Sequence, residues 1–387
     1  MKAQLNPQQQ AFDDEVRRFL SAELDAEVAE AVKRGAPIGR SAMRAWIAKL
    51  NARGWAAPSW PSEHGGPGWS LVERHLFDVA CREAHAPTLS GMNYNMVGPA
   101  IIKFGTDAQR AEHLGKTLSF ERVWCQGYSE PQAGSDLASL QTRAVRDGDD
   151  YVVTGQKIWT SGAEEADWIF CLVRTDTEVQ QQKGISFLLI DMNAPGVSRE
   201  PLYAFNGKLL WNQVFFDEVR VPIANRLGEE NRGWTVAKSL LGDERLFVSR
   251  VAENKRCLGL VREALATTPG AGELAAKADA LEVRLNALEA TSLRILTQAD
   301  AGGTIGAEPS MLKLKGSQLV QAMDEVLFEA AAFGAMPMDG LHGTHEYPGA
   351  PLQEFVASGT YHHRGYTIAG GSSEVQHNII AKQVLGL

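Results

Sequence analysis

One segment of the sequence gathers turn residues and small hydroxyl side chains into a single loop. Residues 126–136 read Gln-Gly-Tyr-Ser-Glu-Pro-Gln-Ala-Gly-Ser-Asp. Gly134 permits backbone angles that most residues avoid. The side chains of Ser129, Ser135 and Asp136 can hydrogen-bond to the nearby backbone or to a ligand. The segment therefore predicts a loop that could hold a polar ligand.

A neighbouring segment adds a large aromatic ring beside two hydroxyls. Residues 155–162 read Gly-Gln-Lys-Ile-Trp-Thr-Ser-Gly. A planar cofactor needs a stacking face, backbone N–H groups and a few hydroxyls with little charge. Trp159, Thr160 and Ser161 provide that combination, so the two segments together predict a site for a planar cofactor. The alternative for Trp159 is a tryptophan packed into the core of a strand.

A single carboxylate interrupts an apolar stripe further along the chain. An unpaired carboxylate on such a face is unfavourable unless it serves a purpose. Glu244 is therefore either a base in a dry pocket, where burial raises a carboxyl pKa, or a core glutamate paired with Arg245 or Arg250. The apolar members of the stripe recur at helical spacing and are Val236, Leu240, Phe247, Val248 and Val251.

Three regions of different periodicity must position these residues. Apolar residues recur at helical spacing up to about residue 118, strand patterns follow, and helical spacing returns from Trp234 onward. A hairpin turn is predicted at Asp147-Gly148-Asp149. The predicted fold class is α+β. Its parts are an N-terminal helical domain at 1–120, a middle, mostly antiparallel β-domain at 121–231 and a C-terminal helical bundle at 232–387.

Composition limits the class of protein. A length of 387 residues predicts two or three domains, and an apolar content of 44% supports a substantial core. The net charge of −9 argues against a nucleic-acid surface. No stretch is apolar enough to span a membrane, and the N-terminus lacks the apolar block of a secretory signal.

The cysteines and histidines indicate neither disulfides nor a metal. The 4 cysteines are scattered without a Cys-x-x-Cys pair, which argues against a disulfide framework or a zinc site and favours a reducing cytoplasm. The 9 histidines show no spacing typical of metal ligands. We expect the pair His362-His363 to be a surface or packing feature.

The two cofactor segments together resemble the flavin-binding core of the acyl-CoA dehydrogenase family. Residues 124–128 and 242–245 most resemble the large subunit of pimeloyl-CoA dehydrogenase. The resemblance runs from about residue 5 to the end of the chain. Further matches are the first-domain loop at 54–61 and 65–68, the strand at 215–222 that closes the middle domain, and the C-terminal flavin-contact turn at 369–376.

The resemblance implies an FAD-dependent enzyme of fatty-acid β-oxidation. Such an enzyme forms an α,β double bond in an acyl-CoA thioester and passes electrons to an electron-transfer flavoprotein. In the family the base is a glutamate in the C-terminal turn, where this chain has Gly370, or one on the first long helix of the C-terminal domain, where Glu244 matches. Arg245 would position the CoA ester; a structural ion pair is its alternative role.

The resemblance also assigns cofactor contacts residue by residue. Ser129 is expected at the pyrimidine side of the ring and Trp159 against its face. Ser135 would reach the pyrophosphate or the CoA chain, and the backbone N–H of Gly370 would polarise the thioester carbonyl. Ser372 or Ser373 is expected to cap the last helix. The full set of expected cofactor contacts is Gln126, Tyr128, Ser129, Gly134, Ser135, Trp159, Thr160, Ser161, Gly370, Ser372 and Glu374.

The chain departs from the family where a neighbouring subunit would complete the site. Family homotetramers use an Arg-x-x-Phe-Gly segment and a Gln-x-x-Gly-Gly turn for this purpose. The equivalent stretches here, 270–277 and 328–336, lack those groups, and His377 replaces a usual arginine. We therefore predict a hetero-oligomer with a related dehydrogenase chain, with a homo-oligomer as the alternative. An acyl-CoA oxidase and a weakly catalytic partner subunit are the alternative functions.

Overall fold

The computed structural model describes residues 5–244, 249–331 and 356–387. Its N-terminal part is helical, and several helices begin with side-chain caps that follow directly from the sequence. Asn6 and Gln9, for example, satisfy each other's backbone N–H groups at the first helix. The helices are α1 (Pro7–Glu23), α2 (Ala26–Lys33), α3 (Arg40–Ala52), α4 (Leu71–Glu83), a π-helix (Met92–Val97), α5 (Gly98–Phe104) and α6 (Asp107–Leu118).

A seven-stranded sheet follows these helices. Its order is β1-β4-β2-β3-β7-β6, and β5 pairs with β4 outside this path. Most pairs are antiparallel, as predicted, whereas β1 runs parallel to β4. The strands are β1 (Trp124–Gly127), β2 (Arg143–Asp147), β3 (Asp150–Ser161), β4 (Trp168–Arg174), β5 (Ile185–Asp191), β6 (Val197–Tyr203) and β7 (Leu209–Pro222).

The C-terminal part is again helical. Long helices pack through leucines at spacings of three and four, as the sequence predicts for Leu281, Leu285 and Leu288. The helices are α7 (Gly233–Glu244), α8 (Val251–Thr267), α9 (Gly272–Asp300), α10 (Glu308–Ala331), α11 (Val356–His363) and α12 (Ser373–Ile380). The predicted α+β class is confirmed. Among the described residues, none of the helices has the length and apolar character needed to cross a bilayer.

Separate apolar cores cover the two faces of the sheet. Phe170 and Phe187 belong to the core shared with the N-terminal helices. Cys171 and Leu188, their neighbours along the same strands, belong to a second core on the opposite face. This alternation follows from the two-residue period of a strand. The N-terminal helices and α7 therefore cover one face of the sheet, whereas residues of the strands and their connections form the second core themselves.

A histidine helps to fix the beginning of β1. His113 is 2% exposed, and its ring lies 5.3 Å from the ring of Trp124 and 5.0 Å from that of Trp168. Burial, together with the nearby Arg122 guanidinium, lowers the pKa of His113 to about 4. The folded protein therefore holds this ring neutral at pH values where an unfolded histidine is already protonated.

This neutral histidine predicts acid sensitivity. The unfolded state takes up a proton below pH ~6.5, so His113 reduces the free energy of unfolding as the pH falls from there to about 4. In the variant His113→Gln we expect the loss over this window to be smaller by about 1–2 kcal/mol, allowing for partial solvent screening. Urea unfolding of both proteins at several pH values measures it. If the free energy of unfolding fell equally with pH in both proteins, His113 would not be the source of the acid sensitivity.

Candidate active site

The two predicted cofactor segments lie side by side in the fold. The backbone N–H of Ile158, in β3, donates a hydrogen bond of 2.9 Å to the carbonyl oxygen of Ser129, in the loop after β1. The Lys157 ammonium donates to the carbonyl oxygen of Tyr128 at 3.2 Å. Direct hydrogen bonds thus join the loop after β1 to β3, although the two segments are distant in the sequence.

A buried ion pair fastens the loop to the strand. Lys157 Nζ lies 2.7 Å from Glu130 Oε1, with the two side chains 0% and 8% exposed. Glu130 also accepts hydrogen bonds from the backbone N–H groups of Gln141 and Thr142, at 2.6 and 2.9 Å. Burial opposes ionisation of Glu130, but the Lys157 charge and these donors outweigh it and lower the carboxyl pKa. Every polar group of the pair has a partner.

Sequence reasoning missed Lys157 and Glu130. Each stands inside one of the two segments, but a charged residue in a loop or a strand is most often exposed. One signal was available in the sequence. The first segment contains a negative charge, Glu130, and the second contains a positive charge, Lys157, so segments that meet in one site could pair the two. The structure brings the charges together beneath the loop.

Trp159 projects from the sheet at a bulge. The pairing of β3 with β7 shifts register between Lys157 and Thr160, and Trp159 has a left-handed backbone with φ of 59°. Such bulges re-aim a side chain. The ring is 57% exposed, and Trp211 meets it edge-on at 5.5 Å. The alternative of a core tryptophan is therefore wrong, and a flat aromatic face is open to a ligand.

The other predicted cofactor contacts of the two segments differ in exposure. Thr160 is buried, and its hydroxyl has no hydrogen-bond partner among the described residues. A buried unpaired hydroxyl is unfavourable unless a ligand or water completes it. Ser161, Gly134 and Ser135 are exposed. Gly134 does not have a positive φ, so the loop does not use the backbone freedom that this glycine permits.

The π-helix forms the next wall of the site. Gln126 Nε2 lies 3.7 Å from the sulfur of Met96 in this helix. A Cβ atom on Gly98, directly after the helix, would lie 2.0 Å from the Trp60 ring. Only glycine permits this close packing, which holds the end of the π-helix against Trp60 within the first domain. The position of Gln126 thus depends on the N-terminal core.

The C-terminal turn has the backbone of a tight loop. Gly370 and Gly371 have φ of 68° and 89°. The Ser372 hydroxyl accepts a hydrogen bond from the Val375 N–H and caps α12, as predicted. Glu374 is exposed; hydrogen bonds to its carboxylate, first from its own backbone N–H and then from Ser372, lower its pKa. The turn presents N–H groups and one negative charge to solvent.

Glu244 is the last residue of α7. Its side chain, together with Arg245, Phe247 and Val248, lies outside the described part of the structure. The prediction of a single helix reaching Val251 is wrong, because α7 and α8 are separate. Arg250 has a left-handed backbone with φ of 52°, which an α-helix of L-residues cannot accommodate. Its guanidinium lies 3.6 Å from the centre of the Tyr366 ring.

A buried polar cluster lies among α8, α10 and α11. Potential ligand atoms of Cys257, Asp324 and His363 are all within 4.8 Å of one another. His363 Nδ1 is 2.8 Å from Asp324, and the adjacent Glu253 is 2.8 Å from Arg256. Because a guanidinium already neutralises Glu253 and burial raises the Cys257 pKa, the cluster fits a hydrogen-bonded core better than a cation site. His363 is thus a packing residue.

The chain has a three-domain dehydrogenase architecture, which consists of N-terminal helices, a sheet that carries an exposed aromatic ring, and C-terminal helices. The N-terminal, middle and C-terminal domain models of acyl-CoA dehydrogenases match residues 6–121, 125–219 and 231–385. The chain therefore belongs to the acyl-CoA dehydrogenase family, and it is an enzyme of that class.

Whole-chain relatives agree with this assignment. Acyl-CoA dehydrogenase FadE26 of Mycobacterium tuberculosis is 34% identical over 100% of this chain and 99% of its own. The ChsE4–ChsE5 complex from Mycobacterium tuberculosis has a chain with a TM-score of 0.83 and 31% identity, covering 100% of this chain and 99% of that one. The Tcur3481–Tcur3483 steroid ACAD gives a TM-score of 0.87 at 28% identity, with the same coverage. The likeness to the pimeloyl-CoA subtype stays a prediction.

Proposed function

We propose that this enzyme uses FAD to oxidise an acyl-CoA thioester to the α,β-unsaturated ester, with Glu244 as the base. The observation that carries the proposal is the hydrogen bond from Ile158 to Ser129, which joins the two cofactor segments next to the exposed residue Trp159. Members of the family are flavoproteins, with FAD as the typical cofactor. The unpaired Thr160 hydroxyl also fits such a ligand.

The chain's own residues would bind and orient the cofactor. Trp159 stacks on one face of the ring, and Ser129, Thr160 and Ser161 donate hydrogen bonds to its polar edge. Gln126 and Tyr128 border the ring. Gly134 and Ser135 face the pyrophosphate or the CoA chain, while Gly370, Ser372 and Glu374 approach from the C-terminal turn. When bound, the flavin accepts the hydride that leaves the β-carbon.

Glu244 would remove the α-proton as the Cα–Hα bond breaks and the double bond forms. An α-hydrogen of a thioester is weakly acidic, so its removal needs both a base and stabilisation of the carbonyl oxygen. The Gly370 N–H provides that stabilisation in this proposal, since a backbone donor aimed at developing charge needs no side chain. Arg245 would hold the CoA ester in position.

The purified protein tests this proposal directly. We expect a bound flavin with its visible absorption, and bleaching of that absorption when an acyl-CoA ester is added without oxygen. Recovery of absorption on addition of an electron-transfer flavoprotein would identify the electron acceptor. A protein that binds neither FAD nor acyl-CoA, alone or with a partner chain, would overturn the proposal.

The exposed ring gives a separate prediction for cofactor affinity. Trp159→Ala is expected to weaken FAD binding roughly tenfold, because stacking on a large ring contributes about 1–1.5 kcal/mol. The free energy of unfolding of the cofactor-free protein should change little, since the ring is 57% exposed. Fluorescence titration with FAD and urea unfolding measure the two quantities. Unchanged affinity would remove Trp159 from the site.

We further propose a hetero-oligomer with a related dehydrogenase chain. The names of two solved relatives, ChsE4–ChsE5 and Tcur3481–Tcur3483, describe assemblies of two components. His377, which replaces an expected arginine, is exposed and belongs to the incomplete donor surface. A homotetramer with one FAD per chain, formed by this chain alone, would contradict the proposal. The cytoplasmic location stays a prediction.

A further inference from the structure

Arg250 has a backbone conformation that residues with side chains rarely adopt. It directly precedes α8, with φ of 52° and ψ of 28°. This left-handed region is unfavourable for a residue with a Cβ atom, and glycine is the usual choice there. Such strain persists only where the surrounding structure enforces it, and it is frequent at functional sites. An arginine at a position suited to glycine therefore indicates a role for its side chain.

Contacts with α10 enforce this backbone conformation. The Asn254 side chain is 0% exposed and donates hydrogen bonds to the carbonyl oxygens of Arg250 and Gly316, at 2.9 and 3.1 Å. A Cβ atom on Gly316 would lie 1.9 Å from the carbonyl oxygen of Ser249. The chain before α8 is thus packed directly on α10. The Arg250 side chain consequently starts from a fixed point of the backbone.

The Arg250 side chain stacks on the aromatic ring of Tyr366. The central carbon of its guanidinium lies 3.6 Å from the centre of the ring. Burial raises the pKa of Tyr366 to about 12, so the ring stays neutral near pH 7 and attracts the cation through its π-face. The rings of His363 and His362 flank Tyr366 at 4.7 and 5.4 Å. They shield part of the stack from water, which strengthens a contact of this kind.

Tyr366 belongs to the segment that leads into the Gly370 turn. It lies in a short 3-10 helix, Arg364–Thr367. Directly after this helix, the backbone N–H of Ala369 donates a hydrogen bond of 2.9 Å to the carbonyl oxygen of Gly365. The ring of Tyr366 and the Gly370 turn are therefore joined by a short, hydrogen-bonded stretch of chain, and a displacement of the ring would move the turn.

The same arginine also borders a cavity. The cavity has a volume of about 430 Å³, which is within the usual range of ligand sites, and is lined by Arg250 and by Asn95 of the π-helix. Direct contact between Arg250 and a bound acyl-CoA ester is therefore the competing role. The stack on Tyr366 favours a positioning role, because it already engages the guanidinium at 3.6 Å.

We propose that Arg250 is a positioning residue for the oxidation step, and that its stack on Tyr366 holds the Gly370 turn at the thioester carbonyl. Arg250 does not touch the reacting atoms in this role and acts through the backbone N–H of Gly370. The inference rests on the proposed function, which assigns that N–H to the carbonyl oxygen. A donor of this kind is effective only when it is in place before charge develops. Loss of the stack should therefore slow the chemical step and leave binding of the ester almost unchanged.

The variant Arg250→Gly separates this role from folding. Glycine adopts the observed φ easily, so the free energy of unfolding should change little. The rate of anaerobic flavin bleaching by an acyl-CoA ester should fall roughly 10- to 30-fold, as expected for loss of a cation–π contact that is shielded from water. The Kd of the ester should change by less than about twofold, because the interaction acts in the transition state. Stopped-flow bleaching at several ester concentrations measures both quantities.

Variants of the tyrosine test whether it is the partner of Arg250. Tyr366→Leu should slow bleaching as much as Arg250→Gly does, and the double variant should lose little more, because both changes remove the same contact. Tyr366→Phe keeps the aromatic ring and should retain most of the rate. Arg53→Met is the matched control. It removes another arginine that lies over an aromatic ring, at 4.7 Å from the centre of Trp55, and should leave the rate unchanged.

A bound aromatic enoyl-CoA ester, 3-phenylpropenoyl-CoA, reports on the turn without turnover. A hydrogen bond to its carbonyl oxygen draws electron density along the conjugated chain and moves the absorption to longer wavelength. We expect this shift in the wild-type complex and a smaller shift in Arg250→Gly. A general loss of structure would abolish binding of the ester, whereas loss of positioning leaves the ester bound with a less polarised carbonyl.

A weaker Kd with an unchanged bleaching rate in Arg250→Gly would assign Arg250 to direct binding of the ester and overturn the inference. Fully additive losses in the double variant would also overturn it, as would an absorption shift that is absent from the wild type or unchanged in Arg250→Gly. A protein whose absorption shift depends on Arg250, but whose flavin no ester bleaches, would contradict the proposed function and leave the positioning role supported.

Discussion

Replacing Glu244 by glutamine is expected to lower kcat for acyl-CoA oxidation by about 10³- to 10⁴-fold. Glutamine has nearly the same shape but cannot accept the α-proton, and a positioned general base contributes up to about this factor. FAD should remain bound, because the proposed cofactor contacts are made by other residues. Stopped-flow measurement of anaerobic bleaching of the flavin gives the rate of the chemical step.

Asp243 provides a matched control for this variant. It precedes Glu244 on α7 and is rotated by about 100° around the helix axis. Asp243→Asn, which makes the same chemical change, should therefore bleach at nearly the wild-type rate. If Glu244→Gln retains turnover, the base lies elsewhere, and the structural ion-pair interpretation of Glu244 becomes the better one.

Replacing Lys157 by methionine is expected to lower the free energy of unfolding by about 3–5 kcal/mol. The substitution leaves the Glu130 carboxylate buried without its counter-charge, which is the costly way to break an ion pair. The loop of Ser129 should loosen with it, so FAD affinity should also fall. Urea unfolding of the cofactor-free protein measures the first effect and fluorescence titration the second.

The double variant Lys157→Met/Glu130→Gln separates pairing from packing. It removes both charges, keeps an acceptor for the N–H groups of Gln141 and Thr142, and should recover much of the lost stability. The exposed Lys183 gives a control, because Lys183→Met should change stability by no more than about 0.5 kcal/mol. A loss of similar size at both lysines would exclude a special role for the buried pair.

The same pair makes stability depend on pH in a defined direction. The pKa of Glu130 is lowered in the folded state, so its stabilising contribution is present above the unfolded carboxyl pKa of ~4.3 and is lost as the pH falls through the folded value. The wild-type protein should therefore lose stability over this acidic range. The double variant should lose less, because it lacks the titrating carboxyl.

Local patterns predicted most of the regular structure. The hairpin between β2 and β3 was predicted from Asp147-Gly148-Asp149, and Gly148 indeed has a positive φ of 62°. β1 was missed because it contains only four residues. β6 was missed because it contains Pro201 and charged residues, a composition that disfavours strands. The parallel pairing of β1 with β4 joins distant segments, so no local pattern could predict it.

The candidate site was predictable by residue type but not by geometry. The two segments predicted Ser129 and Trp159 as cofactor contacts, whereas the bulge that exposes the Trp159 ring depends on the register with β7. The break at Arg250 was missed because Val251 continues the apolar spacing of the preceding helix. Contacts with Tyr366 and with α10, where Gly316 leaves no room for a Cβ beside Ser249, determine that break.

The buried contact between Lys157 and Glu130 also restricts how this family member can evolve. Loss of either charge alone passes through an intermediate that folds poorly, whereas simultaneous exchange for two uncharged residues, with an acceptor kept at position 130, does not. The two positions should therefore vary together among descendants of this sequence. A lineage that has lost one charge should carry a compensating change at the other, and the loop between them is free to diversify only while the pair persists.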